Sequence, residues 1–167
     1  MVQINFLAVM VAALIPLVIG FIWYNPKVFG NAWMKAADVN QDKMQGANMP
    51  LVFGLTFVFS FFVAMAMNFM VIHQMHVASI LMNEPGLHEP GSELNTWIIG
   101  FMQKYGNNFR TFKHGALHGT IGGIMIAFPV IGVNALFERK TFKYIAINAG
   151  FWIVCFALMG GIICAWQ

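Results

Sequence analysis

Histidine is the residue of this chain best suited to chemistry: there are five, His73, His76, His88, His114 and His118, and four of them come in pairs. His73 and His76 are three residues apart and His114 and His118 four apart, spacings that place both members of a pair on one face of a helix. Neutral imidazoles are ligands for Zn²⁺ and Cu²⁺, and two facing each other suit haem. Convergence of His73, His76, His114 and His118 would therefore build a metal or haem site. The same residues also suit a pH-sensitive surface or plain packing at helix ends, and the spacing is compatible with all three readings. Glu84, Glu89 and Glu93 lie between the pairs and offer carboxylates without a spacing that fixes their geometry.

The two cysteines, Cys155 and Cys164, are nine residues apart. On a helix that separates them by about 13 Å along the axis and turns them to opposite faces, so they cannot bridge and read as packing. No phosphate-binding loop, nucleophile elbow, Cys-x-x-Cys or dinucleotide fingerprint is present. No catalytic residue is assigned, and the chain reads as a non-enzyme.

The elements that must position the histidines follow from composition. Of 167 residues, 59% are hydrophobic and 9% charged, against about 45–50% and about 25% in a soluble domain. Lipid is the expected solvent. About 20 apolar residues cross a hydrocarbon core of about 30 Å, and the helix satisfies its backbone internally. Four segments are long enough: about 4–24, 50–70 with an apolar extension to 82, 115–137 and 144–166. The expected fold is an all-α integral membrane protein, four transmembrane helices in one bundle forming a single domain over 1–167. The first segment lacks a basic leader and ends in Trp23-Tyr24, so it is expected to remain as a span and not be cleaved. Between the second and third spans, Leu94, Trp97, Ile98, Phe101, Met102 and Tyr105 recur at helical spacing, with Ser92 as N-cap and Gly106 as stop. That pattern predicts a short amphipathic helix in the interface or across the bundle mouth.

Lys27, Lys35, Lys43, Arg139, Lys140 and Lys143 fall on one side of such a bundle, and Lys104, Arg110 and Lys113 on the other. The positive-inside rule makes the first side cytoplasmic and puts both termini and all five histidines outside. Trp23, Tyr24, Trp33 and Tyr144 at one end, with Trp97 and Trp166 at the other, read as aromatic belts. The net charge of +3 is scattered over short loops. It suits anionic lipid headgroups and gives no footprint for nucleic acid.

The third span carries Gly115, Gly119, Gly123 and Ala127 at four-residue steps, a groove that lets another helix approach closely. Ala157, Gly161 and Ala165 of the fourth span have the same spacing and suit that groove, within one chain or between two. Pro129 is expected to kink the third span. Thr56, Ser60, Asn68, Thr120 and Asn148 are the polar residues inside the spans, and no ionisable group lies near a span centre, which weighs against an ion-coupled transporter.

Two stretches stand out as motifs: Gly20-Phe21-Ile22-Trp23-Tyr24-Asn25-Pro26-Lys27-Val28-Phe29-Gly30-Asn31-Ala32-Trp33-Met34-Lys35, and Asn134-Ala135-Leu136-Phe137-Glu138-Arg139 followed by Ile147-Asn148-Ala149-Gly150 and an ending from Met159-Gly160-Gly161 to Trp166. The chain resembles the membrane-protein family DUF1761, a domain of unknown function. The resemblance implies a small four-helix protein of the bacterial inner membrane and brings no activity; the histidines and the long segment before the third span depart from the family pattern. Trp23, Tyr24, Pro26, Phe29, Gly30, Trp33, Asn134, Glu138 and Asn148 carry the motif and read as an anchored turn with closed helix ends, or else as a ligand or partner surface on the cytoplasmic face. The function expected first is association, as a homo-oligomer or an accessory subunit of a larger membrane complex. A metal- or haem-binding redox or sensor protein (Zn, Cu or haem at the histidines) is the alternative, and a small-solute channel follows.

Overall fold

The computed structural model describes residues 3–40 and 46–167; Lys43, counted above with the cytoplasmic charges, lies outside the described residues. The described chain is helical, with no strand. Four of its helical segments are long and apolar enough to cross a membrane: Phe6–Trp23, Met49–Val71, Phe112–Phe137 and Phe142–Ala165. Each begins on a side chain that closes a free backbone N–H. Asn5 accepts from Ala8, Asn48 from Leu51, Thr111 from His114 and Thr141 from Tyr144, a cap contributing about 1 kcal/mol each. The polar residue before an apolar run therefore sets where each span starts.

Two of the spans are not continuous α-helix. The first is α1 (Phe6–Ala13) and α2 (Ile15–Trp23), joined at Leu14. Pro16 has no N–H to return to the first helix, and the backbone tightens there, Leu14 donating to Val11 and Leu17 to Leu14. The second span is α4 (Met49–Val71), after α3 (Gly30–Ala37) in the preceding loop. It stops at Ile72, whose extended backbone turns the chain before α5 (Gln74–Ile80). The apolar extension to residue 82 is thus a separate short helix, and the break falls where His73, Gln74 and His76 interrupt the apolar run. The amphipathic helix expected from Ser92 to Gly106 is α6 (Glu93–Tyr105), with the Ser92 hydroxyl accepting from the Asn95 N–H. The third span is α7 (Phe112–Gly122), a wider π turn (Gly123–Ala127) and α8 (Phe128–Phe137). The sequence predicts a kink at Pro129; the structure absorbs the proline in that π turn, where Phe128 N–H bonds to Gly123 C=O five residues back.

The fourth span, α9 (Phe142–Ala165), is the centre of the bundle: it packs on α7 most extensively and also touches α1, α2, α3, α4 and α8. Its Cys155 and Cys164 are both buried, one on each side, because neighbours surround the helix. The core joins Val9, Ala12 and Ala13 of α1, Ala64, Met67 and Val71 of α4, and Phe151, Cys155, Met159 and Ile163 of α9. Large apolar side chains face outward on every span, Phe21, Phe62 and Phe137 among them; so broad an apolar exterior suits lipid and not water.

Glycine decides how closely α7 and α9 approach. A methyl group on Gly119 would run into the Phe156 carbonyl and lie 3.0 Å from Ala157 Cα, and one on Gly123 would lie 2.7 Å from Ile153 Cα. On Gly115 it would meet the Gly160 carbonyl and Cys164, while on Gly161 it would lie 2.6 Å from the Phe112 ring. The groove of Gly115, Gly119 and Gly123 is therefore filled by α9 of the same chain. Ala157 and Gly161 face it as expected, Gly160 joins them, and Ala165 is exposed.

Candidate metal centre

At one end of the bundle three histidines meet. His73 stands in the break between α4 and α5, held there by the extended Ile72, while His114 and His118 occupy successive turns of α7. Their ring centroids are 4.9 Å (His73–His118), 5.0 Å (His73–His114) and 4.5 Å (His114–His118) apart. One ring nitrogen from each lies within 4.8 Å of the others. The Nε2 atoms of His73 and His114 are 2.8 Å apart, so one donates a proton and the other accepts it. Among the described residues no carboxylate or thiolate joins the group. Burial first, then the His118 and His76 rings, hold the His73 imidazole below its ordinary pKa, which favours the neutral form that binds metal.

The fourth histidine of the paired set is elsewhere. His76 Nε2 sits 2.8 Å from the Phe69 carbonyl, one of the unpaired acceptors at the end of α4. The break at Ile72 changes the geometry that an unbroken helix would give the His73–His76 pair, and His76 serves the backbone. His88 lies in the exposed loop before α6. Glu84, Glu89 and Glu93 are exposed and outside the cluster.

Side chains that sequence reasoning did not single out hold the triad in place. Gln74, buried, donates to the carbonyls of Tyr105 (3.4 Å) and Asn108 (2.7 Å), tying α5 to the segment between α6 and α7. That segment turns at Phe109, whose left-handed φ of 63° is uncommon for a bulky residue. The turn brings the Phe109 ring to 5.0 Å from His114 and 6.2 Å from His73. The Phe109 carbonyl lies 3.3 Å from Cys164 Sγ, which also reaches the Val71 carbonyl at 3.4 Å, so the thiol links three segments around the site. Arg110 donates through Nε to the Cys164 carbonyl (2.7 Å) and through Nη2 to that of Trp166 (3.3 Å), closing the end of α9. A glutamine between two histidines in an apolar run was a visible signal of the break. Nothing in the sequence announced the turn at Phe109.

Three neutral imidazoles around one ion, at about 2.0–2.1 Å each, make three corners of a tetrahedron and leave the fourth open. Such a donor set suits Zn²⁺ or Cu²⁺. Haem suits it poorly: a macrocycle must lie between its two axial ligands, and here two of the nitrogens are in hydrogen-bond contact.

The motif residues of the opposite end form a lock between the first and last spans. Trp23 Nε1 donates to the Ile147 carbonyl (3.1 Å), and its ring lies 3.2 Å from where a methyl on Gly150 would stand. The Tyr24 hydroxyl donates to Asn148 Oδ1 (3.0 Å), and Asn148 Nδ2 donates to the Tyr144 carbonyl (2.8 Å). Burial raises the Tyr24 phenol above its usual pKa and keeps it a donor. Asn25 accepts from Val28 and Gly30 to close the turn after Pro26; a side chain at Gly30 would collide with the Tyr24 carbonyl. Phe29 packs on Trp23 at 4.6 Å and Trp33 on Tyr24 at 5.4 Å. Asn134 and Glu138 are exposed, and the short loop after α8 is closed by Lys140, whose amine donates to the Ala37 carbonyl.

The family model described as a protein of unknown function, DUF1761, matches residues 7–164, nearly the whole chain. No curated protein and no solved structure matches it.

Proposed function

We propose, from the premise that the chain belongs to the DUF1761 family, that it is a multi-pass membrane protein that binds a divalent transition-metal ion, Zn²⁺ or Cu²⁺, at His73, His114 and His118. One observation carries this reading: three imidazoles, one from the break after the second span and two from the third span, meet with ring nitrogens within 4.8 Å of one another. His73 is exposed and His114 and His118 are half-buried, so an ion can reach all three rings from the surface. Among the described residues no carboxylate joins the three histidines to serve as a base, so holding or sensing metal suits the site better than hydrolysis.

The charges support an orientation with the histidines on the non-cytoplasmic side of a bacterial cytoplasmic membrane. Lys27, Lys35, Arg139, Lys140 and Lys143 gather at the end opposite the triad, against Lys104, Arg110 and Lys113 beside it. The site would then meet metal from outside the cell. Association with a second copy or a larger complex loses the groove that motivated it, since α9 fills the glycines of α7.

Purification without chelator, followed by elemental analysis, tests the reading. We expect one Zn or Cu per chain, lost in the triple H73A/H114A/H118A variant and regained by neither ion on titration. Metal-free protein that also fails to take up Zn²⁺ or Cu²⁺ at micromolar concentration would overturn it.

A further inference from the structure

We propose that the metal site takes a carboxylate-headed amphiphile, its carboxylate at the open coordination position and its apolar chain in the adjoining cleft. The inference rests on the metal-binding reading above and names what completes that site. A cleft of about 300 Å³ opens between α5 and α6, walled by Val77, Phe101, Tyr105 and Phe109, with His73 at its edge. That is the small end of the range for ligand sites, enough for a chain of modest length. His73 belongs to both cleft and triad, and the Phe109 ring, a cleft wall, lies against His73 and His114. His114 and His118 do not line the cleft, but a head placed at the His73 ligand nitrogen is within 4.8 Å of theirs.

The walls dictate an apolar body. Gln74 and Asn108 also line the cleft, but the Gln74 amide is engaged with the carbonyls of Tyr105 and Asn108. The charges dictate the sign of the head. Three imidazole ligands leave the ion its full double charge; Lys104, Arg110 and Lys113 lie at this end of the bundle, while Glu84, Glu89 and Glu93 are exposed and outside the cluster. Lys104 Nζ is 5.0 Å from the centre of the Tyr105 ring, itself a cleft wall. An anion is drawn into this field and a cation repelled. A carboxylate is the simplest head that is both anionic and a good ligand for Zn²⁺.

The test uses the full-length protein in detergent, loaded with Co²⁺, whose visible absorption reports coordination at the site. Acetate, octanoate and hexadecanoate are then titrated into it. We expect octanoate to change the cobalt spectrum at a concentration at least about tenfold below acetate, with no comparable further gain for hexadecanoate because the cleft is small. V77W, which fills the cleft and replaces no histidine, should keep the cobalt spectrum and lose the preference for octanoate; V77F serves if the larger ring disturbs folding. Absence of any cobalt spectrum in the native protein would overturn the metal reading and this inference with it. A normal cobalt spectrum with octanoate no better than acetate, a gain that continues to hexadecanoate, or a preference that survives in V77W would overturn the cleft proposal alone.

Discussion

His73 and His114, 41 residues apart in the chain, share one proton across 2.8 Å between their Nε2 atoms. A metal ion held by both nitrogens must displace the proton between them. Metal affinity is therefore tied to pH. Burial first, then the His118 and His76 rings, hold the His73 pKa below its ordinary value, so the native state binds protons less readily than the unfolded chain. The resulting stability is present above about pH 6.5 and is lost as the pH falls through the lowered native value. We predict tight Zn²⁺ binding at pH 7.5 and a loss of at least about tenfold at pH 5.5, read by competition with a chromophoric chelator. A flat profile across this range would contradict imidazole ligation.

The four paired histidines should divide three to one. Replacing His73, His114 or His118 singly with Ala should weaken metal binding by about 100-fold or more. H76A should keep the stoichiometry and lower stability by about 1 kcal/mol, because His76 closes the Phe69 carbonyl and not the site. Isothermal titration with thermal unfolding separates the outcomes; an H76A variant that cannot bind metal would place His76 among the ligands.

The contact between α7 and α9 tolerates no added side chain. G119V must push its branched side chain into the Phe156 carbonyl and Ala157, and should destabilise by about 3 kcal/mol or more. On the same span Gly132 has open space where a Cβ would stand, so G132A should be neutral or stabilising by up to about 1 kcal/mol. Fluorescence-detected size exclusion after heating would rank the two. Equal effects would argue that α9 does not occupy the groove.

Tyr24 and Asn148 should be coupled across the opposite end. Y24F removes one hydrogen bond and should cost about 1 kcal/mol, whereas N148L also strands the half-buried Tyr24 hydroxyl and should cost about 2 kcal/mol. The double variant should cost less than the sum, with a coupling of about 0.5 kcal/mol or more in a thermal-unfolding cycle. Strict additivity would mean the two side chains do not meet.

Much of the architecture was legible because a membrane makes simple demands. A long apolar run must be a helix, so the four spans fall within a turn of where hydropathy puts them, and the amphipathic helix runs from the Ser92 cap to Tyr105, just before Gly106. The glycine spacing of Gly115, Gly119 and Gly123 likewise announced a helix-sized groove. Its occupant was open on sequence alone, since Ala157 and Gly161 would fit it from the same chain or another.

The histidines show where that legibility ends. Periodicity paired His73 with His76 on the assumption of an unbroken helix, and hydropathy carried the second span past both. Hydropathy sums over residues and does not register a single extended backbone at Ile72, yet that break detaches His76 to close α4 and leaves His73 facing α7. By itself the sequence determined the solvent, the spans, their caps and the end at which the histidines gather, all consequences of local composition and helical period. Only the tertiary structure decided which three histidines meet, that α9 fills the glycine groove, and that Phe109, Gln74 and Arg110 frame the site. Those are contacts between segments tens of residues apart, set by how closely helices pack and which backbone groups remain to be satisfied at their ends.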